Sequence, residues 1–258
     1  MIPKILHQIW LTGELPEKFW QWRLSWMYYN PDWTFKLWTL ADFLDCYGKN
    51  MSNKLYDLLH GEKLCYVLKT DILRWLCLYY EGGVYADTDV ECLFPFEALL
   101  NYKSFAGTSY PPNGIGNATI GAVAQHPLMM DIAERTADRI LSDIDVANAT
   151  VVEFGVNLAG KLLEKADKIF PVYAFYPTWC DNFTAPDRTN AKTKHHRSYS
   201  IHHWTGVDKG GWVDNTILKK KCEDIGIKGD QVETLDLAKE VMDYLIKEKK
   251  LSFPQLQR

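Results

Sequence analysis

The chain reads as a single α/β domain with a central, mostly parallel sheet flanked by helices, and three features of the sequence predict this. A length of 258 residues is ample for one sizeable hydrophobic core. Short β-prone runs alternate with longer segments of helical periodicity, the arrangement in which helices cover the faces of a parallel sheet. The longest helical pattern stops at a Gly-Gly pair and passes directly into a buried strand that ends in two carboxylates.

In chain order, Ile5-Leu6-His7-Gln8-Ile9-Trp10 is short, β-prone and preceded by Pro3, which suits the first strand of a buried sheet. A loop through Thr12, Gly13 and Pro16 follows, and Thr34-Phe35-Lys36-Leu37-Trp38, after the Asn30-Pro31-Asp32 turn, reads as a second strand. Two polar-apolar helical segments cover about 40–48 and 52–60. Between about 64 and 80, Leu64, Val67, Leu68, Ile72, Trp75, Leu76 and Tyr79 mark one apolar helix face by their i, i+3, i+4 spacing. That helix ends at Glu81-Gly82-Gly83, where glycine can take the left-handed conformation that stops a helix. Val84-Tyr85-Ala86 follows as a strand and terminates in Asp87-Thr88-Asp89.

Further strands are expected near 104–107, 117–124, 170–175 and 199–203, with helices after His126-Pro127 and near 156–166. Leu235, Ala238, Val241, Met242, Leu245 and Ile246 share one face of a C-terminal amphipathic helix over about 230–250. The sequence shows no internal repeat and no low-complexity linker, so residues 1–258 are read as one domain. Within it, the motifs taken up below divide the chain into about 2–125, which their family resemblance makes the donor-binding core, and about 126–212, which it makes the metal and acceptor part.

A net charge of −4 argues against a nucleic-acid partner, which would call for a basic face. Aromatic residues at 14%, ten of them Trp, are a surplus of the kind that lines clefts as well as filling a core. The cysteines at 46, 65, 77, 92, 180 and 222 form no CxxC pair and read as reduced core thiols of a cytosolic protein. The N-terminus enters a strand with no secretory pattern, and no apolar run reaches membrane-spanning length. A cytoplasmic location is therefore expected, with peripheral membrane association left open, and the sequons at Asn117, Asn148 and Asn182 read as chance matches.

Asp87-Thr88-Asp89 stands where a strand leaves the core, the end of an α/β sheet at which ligands bind. Two carboxylates one residue apart can both reach a hard divalent cation, directly or through water. A bare D-x-D is usually two solvated loop aspartates, so its context carries the weight. Asp71 and Arg74 lie on the preceding helix as i, i+3 neighbours, placed either to bracket a hydroxylated ligand or to form an ordinary intrahelical ion pair.

The segment from Asp71 to Asp89 resembles the donor-binding core of the DxD-containing sugar transferases. These are the glycosyltransferase family 32-like group of yeast-type α-1,6-mannosyltransferases and capsular polysaccharide transferases, and the segment is also similar to the glucosyltransferase domain of the large clostridial toxins. The likeness extends to Ile2-Pro3-Lys4-Ile5-Leu6-His7-Gln8-Ile9-Trp10, to Gly116-Asn117-Ala118 with His126-Pro127 after it, and to Ile201-His202-His203-Trp204. It implies a GT-A fold of Rossmann-like type, a Mn2+ or Mg2+ cofactor and retention of anomeric configuration. Carried over residue by residue, Ile9 and Trp10 would contact the nucleotide base. Asp71 and Arg74 would hold hydroxyls of the transferred sugar, and Tyr85 and Asn117 would join in binding the donor. Asp87 and Asp89 would hold the metal, and Asp71, Arg74, Asp87 and Asp89 together form the expected catalytic set.

Adjacent strand residues point to opposite faces, so only one of His202 and His203 can face a metal. His203-Trp204-Thr205-Gly206-Val207-Asp208-Lys209 resembles the H-x-x-G-x-x-K pattern by which related retaining galactosyltransferases supply a metal-binding histidine, a glycine and a phosphate-contacting lysine. On that ground His203 is expected to be the metal ligand, with Gly206 and Lys209 near the diphosphate. His7 shares its parity with Ile5 and Ile9 and reads as a hydrogen-bonded structural histidine. The chain departs from the family at Gly211-Trp212, where a Ser-Trp is usual, and at Gly155-Val156, where a Gly-Pro is usual.

The expected activity is a metal-dependent transfer of a hexose from a UDP- or GDP-sugar to a saccharide or glycan acceptor, in polysaccharide or glycan synthesis. The alternatives are a toxin-like protein glycosyltransferase, a catalytically silent nucleotide-sugar-binding module, and a metal-dependent phosphoester hydrolase.

Overall fold

The computed structural model describes residues 1–62, 64–109, 114–142, 157–177 and 198–204. The chain begins with β1 (Ile5–Ile9), α1 (Glu17–Tyr29), β2 (Thr34–Trp38), α2 (Leu40–Tyr47), α3 (Asn53–His60) and α4 (Tyr66–Glu81). It continues through β3 (Gly83–Ala86), β4 (Val90–Cys92), β5 (Ser104–Ser109), β6 (Gly114–Ala122) and α5 (Pro127–Ser142). The last described elements are α6 (Gly160–Leu163), β7 (Lys168–Phe170) and β8 (Ser200–His202).

Six strands form a sheet in the order β2-β1-β3-β6-β5-β7. β6 runs antiparallel to both of its neighbours, and the β1–β2, β1–β3 and β5–β7 pairs are parallel. The parallel-dominated, helix-flanked reading therefore holds, with one reversed strand. β4 and β8 form a separate antiparallel pair in which Val90 lies opposite His202 and Cys92 opposite Ser200. The chain leaves β1 to form β2 on one side and β3 on the other, so the carboxyl ends of β1 and β3 flank the point where strand order reverses.

Alternation along the strands sends side chains into a core on each face of the sheet. Val84 and Ala86 of β3 join Leu6, Trp26, Phe96 and Phe105 on one face, whereas Tyr85 joins Ile72, Trp75, Ile120 and Met129 on the other. The helix expected over 64–80 is α4. It stops at Gly82, whose φ is 66°, and a Cβ there would lie 2.5 Å from the Ala124 nitrogen. A Cβ on Gly83, φ 106°, would lie 2.6 Å from the Ile5 carbonyl oxygen, so this tight return seats β3 directly against β1.

Several expectations shift. α1 and β4 carry no legible sequence signal. Residues 22–27 of α1 are buried all round, polar Arg23 and Ser25 included, so no amphipathic stripe forms. Of the strand expected near 170–175 only its beginning forms, as β7. Pro171 then breaks the ladder and Val172–Ala174 makes a 3-10 turn. The regular α-helix in the 156–166 region is confined to Gly160–Leu163. The C-terminal helix over about 230–250 lies outside the described residues. Among the described residues no helix is long and apolar enough to cross a membrane.

His7 is structural, as its strand parity suggests. Its Nδ1 accepts from Trp38 Nε1 at 3.0 Å, so its Nε2–H donates to the Gly82 carbonyl at 2.8 Å. Burial pulls its pKa down from 6.5 to about 4, outweighing Glu81. A base depressed on folding adds stability above its unfolded pKa and loses it as pH falls through the folded value. Acid denaturation should therefore cost on the order of 3 kcal/mol between pH 6.5 and about 4 through this residue. Urea midpoints across that window should fall less steeply for His7→Gln than for the wild type.

Candidate functional site

The site begins where β3 ends. The Asp87 N–H donates to the Ala118 carbonyl of β6 at 2.9 Å, and the Val90 N–H donates back to the Asp87 carbonyl at 3.0 Å, which closes a turn that presents both aspartates. β8 then brings an imidazole to them. His202 Nε2 lies 3.1 Å from Asp89 Oδ1 and 3.8 Å from Asp87 Oδ2, and one ligand atom from each of the three lies within 4.8 Å of the others. Burial alone would lower the His202 pKa, but Asp89 and Asp87 beside it hold it above its ordinary value.

This corrects the expectation for His203. Opposite-face alternation holds, but His202 faces the aspartates. The His203 ring stacks on Trp22 with centroids 4.6 Å apart, and its Nε2 meets Glu91 Oε2 at 2.9 Å in a fully buried pair. The H-x-x-G-x-x-K spacing pointed to the histidine that faces away from the aspartates, because register is set by pairing with β4, which the sequence does not display. Gly206 and Lys209 lie outside the described residues.

Two carboxylates held this close repel unless a positive charge joins them. Their oxygens, with a neutral imidazole nitrogen, make a donor set that suits Mn2+, while Mg2+ prefers oxygen alone. Among the described residues the buried His202 Nδ1 has no hydrogen-bond partner, and Nε2 is the nitrogen turned to the aspartates. The residues fit a divalent cation. His202→Ala should raise the Mn2+ concentration for half-maximal activity by about tenfold or more. His203→Ala should instead lower Tm with the metal requirement unchanged, because it strips the imidazole from a buried Glu91 carboxylate. Parallel Mn2+ titrations and melting curves distinguish the two.

Behind the aspartates stands Arg74. Its Nη2 meets Asp71 Oδ1 at 2.8 Å, and its Nη1 donates to Asp87 Oδ1 at 3.0 Å and to the Asn117 carbonyl at 2.8 Å. The guanidinium lies over the Tyr85 ring at 4.7 Å, and the Tyr85 hydroxyl donates to Asp87 Oδ1 at 2.5 Å. Asn117 Nδ2 donates to Asp71 Oδ1 at 3.3 Å. Asp71, Arg74, Tyr85, Asp87 and Asn117 thus form one cluster at the carboxyl end of the sheet. Burial drives the Asp71 carboxyl up to about 6 despite Arg74 beside it, and Asp87 adds to the rise. Burial would lower Arg74, but Asp87, Tyr85 and Asp71 outweigh it and keep the guanidinium charged. Among the described residues the buried Asp71 Oδ2 and Arg74 Nε, an acceptor and a donor, have no hydrogen-bond partner.

Ile9 is a core residue, 4% exposed. Trp10 is half-buried, donates from Nε1 to the Thr12 carbonyl at 3.1 Å and packs on Phe19. One connection was illegible in the sequence. Arg23 of α1, 1% exposed, donates to Gln8 Oε1 at 2.7 Å, and Gln8 Nε2 reaches the Asp87 carbonyl at 3.4 Å. No local motif links a helix without an apolar face to this strand end.

Comparisons with known proteins agree with this geometry. Residues 16–106 match the family described as the glycosyltransferase sugar-binding region containing a DXD motif. Inositol phosphoceramide mannosyltransferase 3 of Schizosaccharomyces pombe is 31% identical over 132 residues, which are 51% of this chain and 36% of that protein. Mannosyl phosphorylinositol ceramide synthase CSH1 of Saccharomyces cerevisiae is 29% identical over 51% of this chain and 34% of its own length. The chain thus spans little more than a third of the length of these yeast relatives. Among solved structures, the apo-form glycosyltransferase GlyE of Streptococcus pneumoniae TIGR4 shares the fold at a TM-score of 0.51 and 8% identity, over 93% of this chain and 64% of that one. Asp87 and Asp89 thus lie inside the segment that matches this family, residues 16–106, and at the switch point of a GT-A-type sheet.

Proposed function

We propose that this protein is a metal-dependent, retaining glycosyltransferase that moves a hexose from a nucleotide sugar to a glycan or glycolipid acceptor. The observation that carries the reading is the convergence of Asp87, Asp89 and His202 in front of the Asp71–Arg74 pair. The mannosyltransferase names of the yeast relatives make mannose the first sugar to test.

Asp87, Asp89 and His202 would hold Mn2+, which when bound offsets the negative charge growing on the departing diphosphate. Arg74 fixes the Asp87 carboxylate from behind, and with Asp71 offers the buried donor and acceptor that orient sugar hydroxyls. Trp10, at the end of β1, gives a partly exposed aromatic face for the base, with Ile9 backing it from the core. In a same-face displacement the bond from the anomeric carbon to the phosphate oxygen breaks as the bond to the acceptor oxygen forms. The acceptor hydroxyl proton passes to the departing phosphate oxygen, so no separate protein base is required. Lys209 would add positive charge near that phosphate. Of the described cysteines, Cys77 and Cys92 are buried core thiols as expected, whereas Cys46 and Cys65 are exposed.

The test is nucleotide release from GDP-mannose and UDP-glucose with Mn2+ and with EDTA. Release from one sugar nucleotide that EDTA abolishes is the expected result. Binding without release would leave a silent sugar-nucleotide module, and turnover of p-nitrophenyl phosphate would indicate a phosphoesterase.

A further inference from the structure

β6 does not pair evenly with β5. Phe105 lies opposite Gly121 but Gly107 lies opposite Gly116, so Asn117–Ile120 of β6 face Ala106 alone and the strand bulges. On its other edge β6 keeps an unbroken register with β3, Ala86 opposite Thr119 through Gly83 opposite Ala122. The bulge frees two successive backbone N–H groups from the β5 ladder, and one side chain takes both. The Tyr176 hydroxyl accepts from the Ala118 N–H and the Thr119 N–H, each at 3.1 Å.

Tyr176 is 1% exposed, and its own N–H donates to the Val172 carbonyl at 2.8 Å in the turn that follows β7. Its ring fills the space beside Gly116, where a Cβ would come within 2.4 Å of Tyr176 Cζ and 2.6 Å of its hydroxyl oxygen. Two carbonyls of the same stretch reach the site: Asn117 accepts from Arg74 at 2.8 Å, and Ala118, continuing the β3 register, accepts from the Asp87 N–H at 2.9 Å. The bulge that Tyr176 props is therefore the one that supplies acceptors to Arg74 and to the Asp87 peptide.

We propose that Tyr176 is a positioning residue of the transfer site, its hydroxyl holding the β6 bulge so that the Asn117 and Ala118 carbonyls fix Arg74 and Asp87. This rests on the transferase reading above. Tyr176 is remote in sequence from the motif it serves, and its hydroxyl acts only through the backbone of β6.

Tyr176→Phe keeps the ring and removes the acceptor. With the sugar nucleotide that the wild type turns over, kcat should fall between about ten- and a hundredfold, the scale of a small misplacement in a reacting site, with donor KM changed far less. Amide exchange at Ala118 and Thr119 should speed up in the variant, and in the wild type both amides should be protected. A purely structural Tyr176 would lower Tm and leave kcat per folded molecule unchanged; that result, or unprotected Ala118 and Thr119 amides in the wild type, overturns the proposal. If Tyr176→Phe does not fold, the wild-type exchange measurement and Gly116→Ala, which displaces the ring but keeps the hydroxyl, decide by the same criteria. A wild type with no metal-dependent nucleotide release would sink the transferase reading and this role with it. An active wild type matched by an equally active Tyr176→Phe would sink this role alone.

Discussion

Asp89→Asn is expected to cut Mn2+-dependent nucleotide release by about a thousandfold or more, because it removes a charged oxygen from the three-residue donor set. The side chain is 11% exposed and lies 3.1 Å from His202, so it is more enclosed than a solvated loop aspartate. The amide keeps its shape and relieves repulsion against Asp87. Tm measured in EDTA should therefore stay within a few degrees of wild type while activity disappears. Loss of both would indicate a structural aspartate, and activity within a few-fold of wild type would remove Asp89 from the metal site.

Arg74→Lys should lose most activity, about a hundredfold, although it conserves charge. The guanidinium serves Asp71, Asp87 and the Asn117 carbonyl from two nitrogens with its carbon 4.7 Å from the Tyr85 ring centre, and a single ammonium cannot reproduce that planar fork. Breaking a buried pair of this kind leaves a poorly compensated carboxylate and costs about 3–5 kcal/mol when a partner is removed outright. A drop in Tm should accompany the kinetic loss, smaller for Lys than for Arg74→Ala. Near-normal kcat/KM for Arg74→Lys would reduce the Asp71–Arg74 pair to an ordinary helix ion pair.

Local chemistry alone determined much of this protein. β2 follows from its turn and its β-prone run, α4 from the spacing of Leu68, Ile72, Trp75 and Leu76, and its end from Gly82, because each signal lies within one or two turns of chain. The motif is local too, since Asp71, Arg74, Asp87 and Asp89 are joined by a single helix, a glycine stop and a short strand, but grouping them as one set came from the family resemblance, and the contact of Arg74 with Asp87 came from the fold.

Other features waited for the fold because they depend on which distant segments pair. Residues 22–27 of α1 are buried all round, so no amphipathic stripe forms there, and β4 is three residues long, so neither announces itself. Alternation said that at most one of two adjacent histidines can face the aspartates. Only the pairing of β8 with β4, Val90 opposite His202, decided that it is His202 and sent His203 to Glu91. Tyr176 reaches β6 from beyond β7, and Arg23 reaches Asp87 through Gln8. A side chain that acts across such a sequence separation leaves no local pattern, since its partners are chosen by packing and strand register and not by its neighbours in the chain.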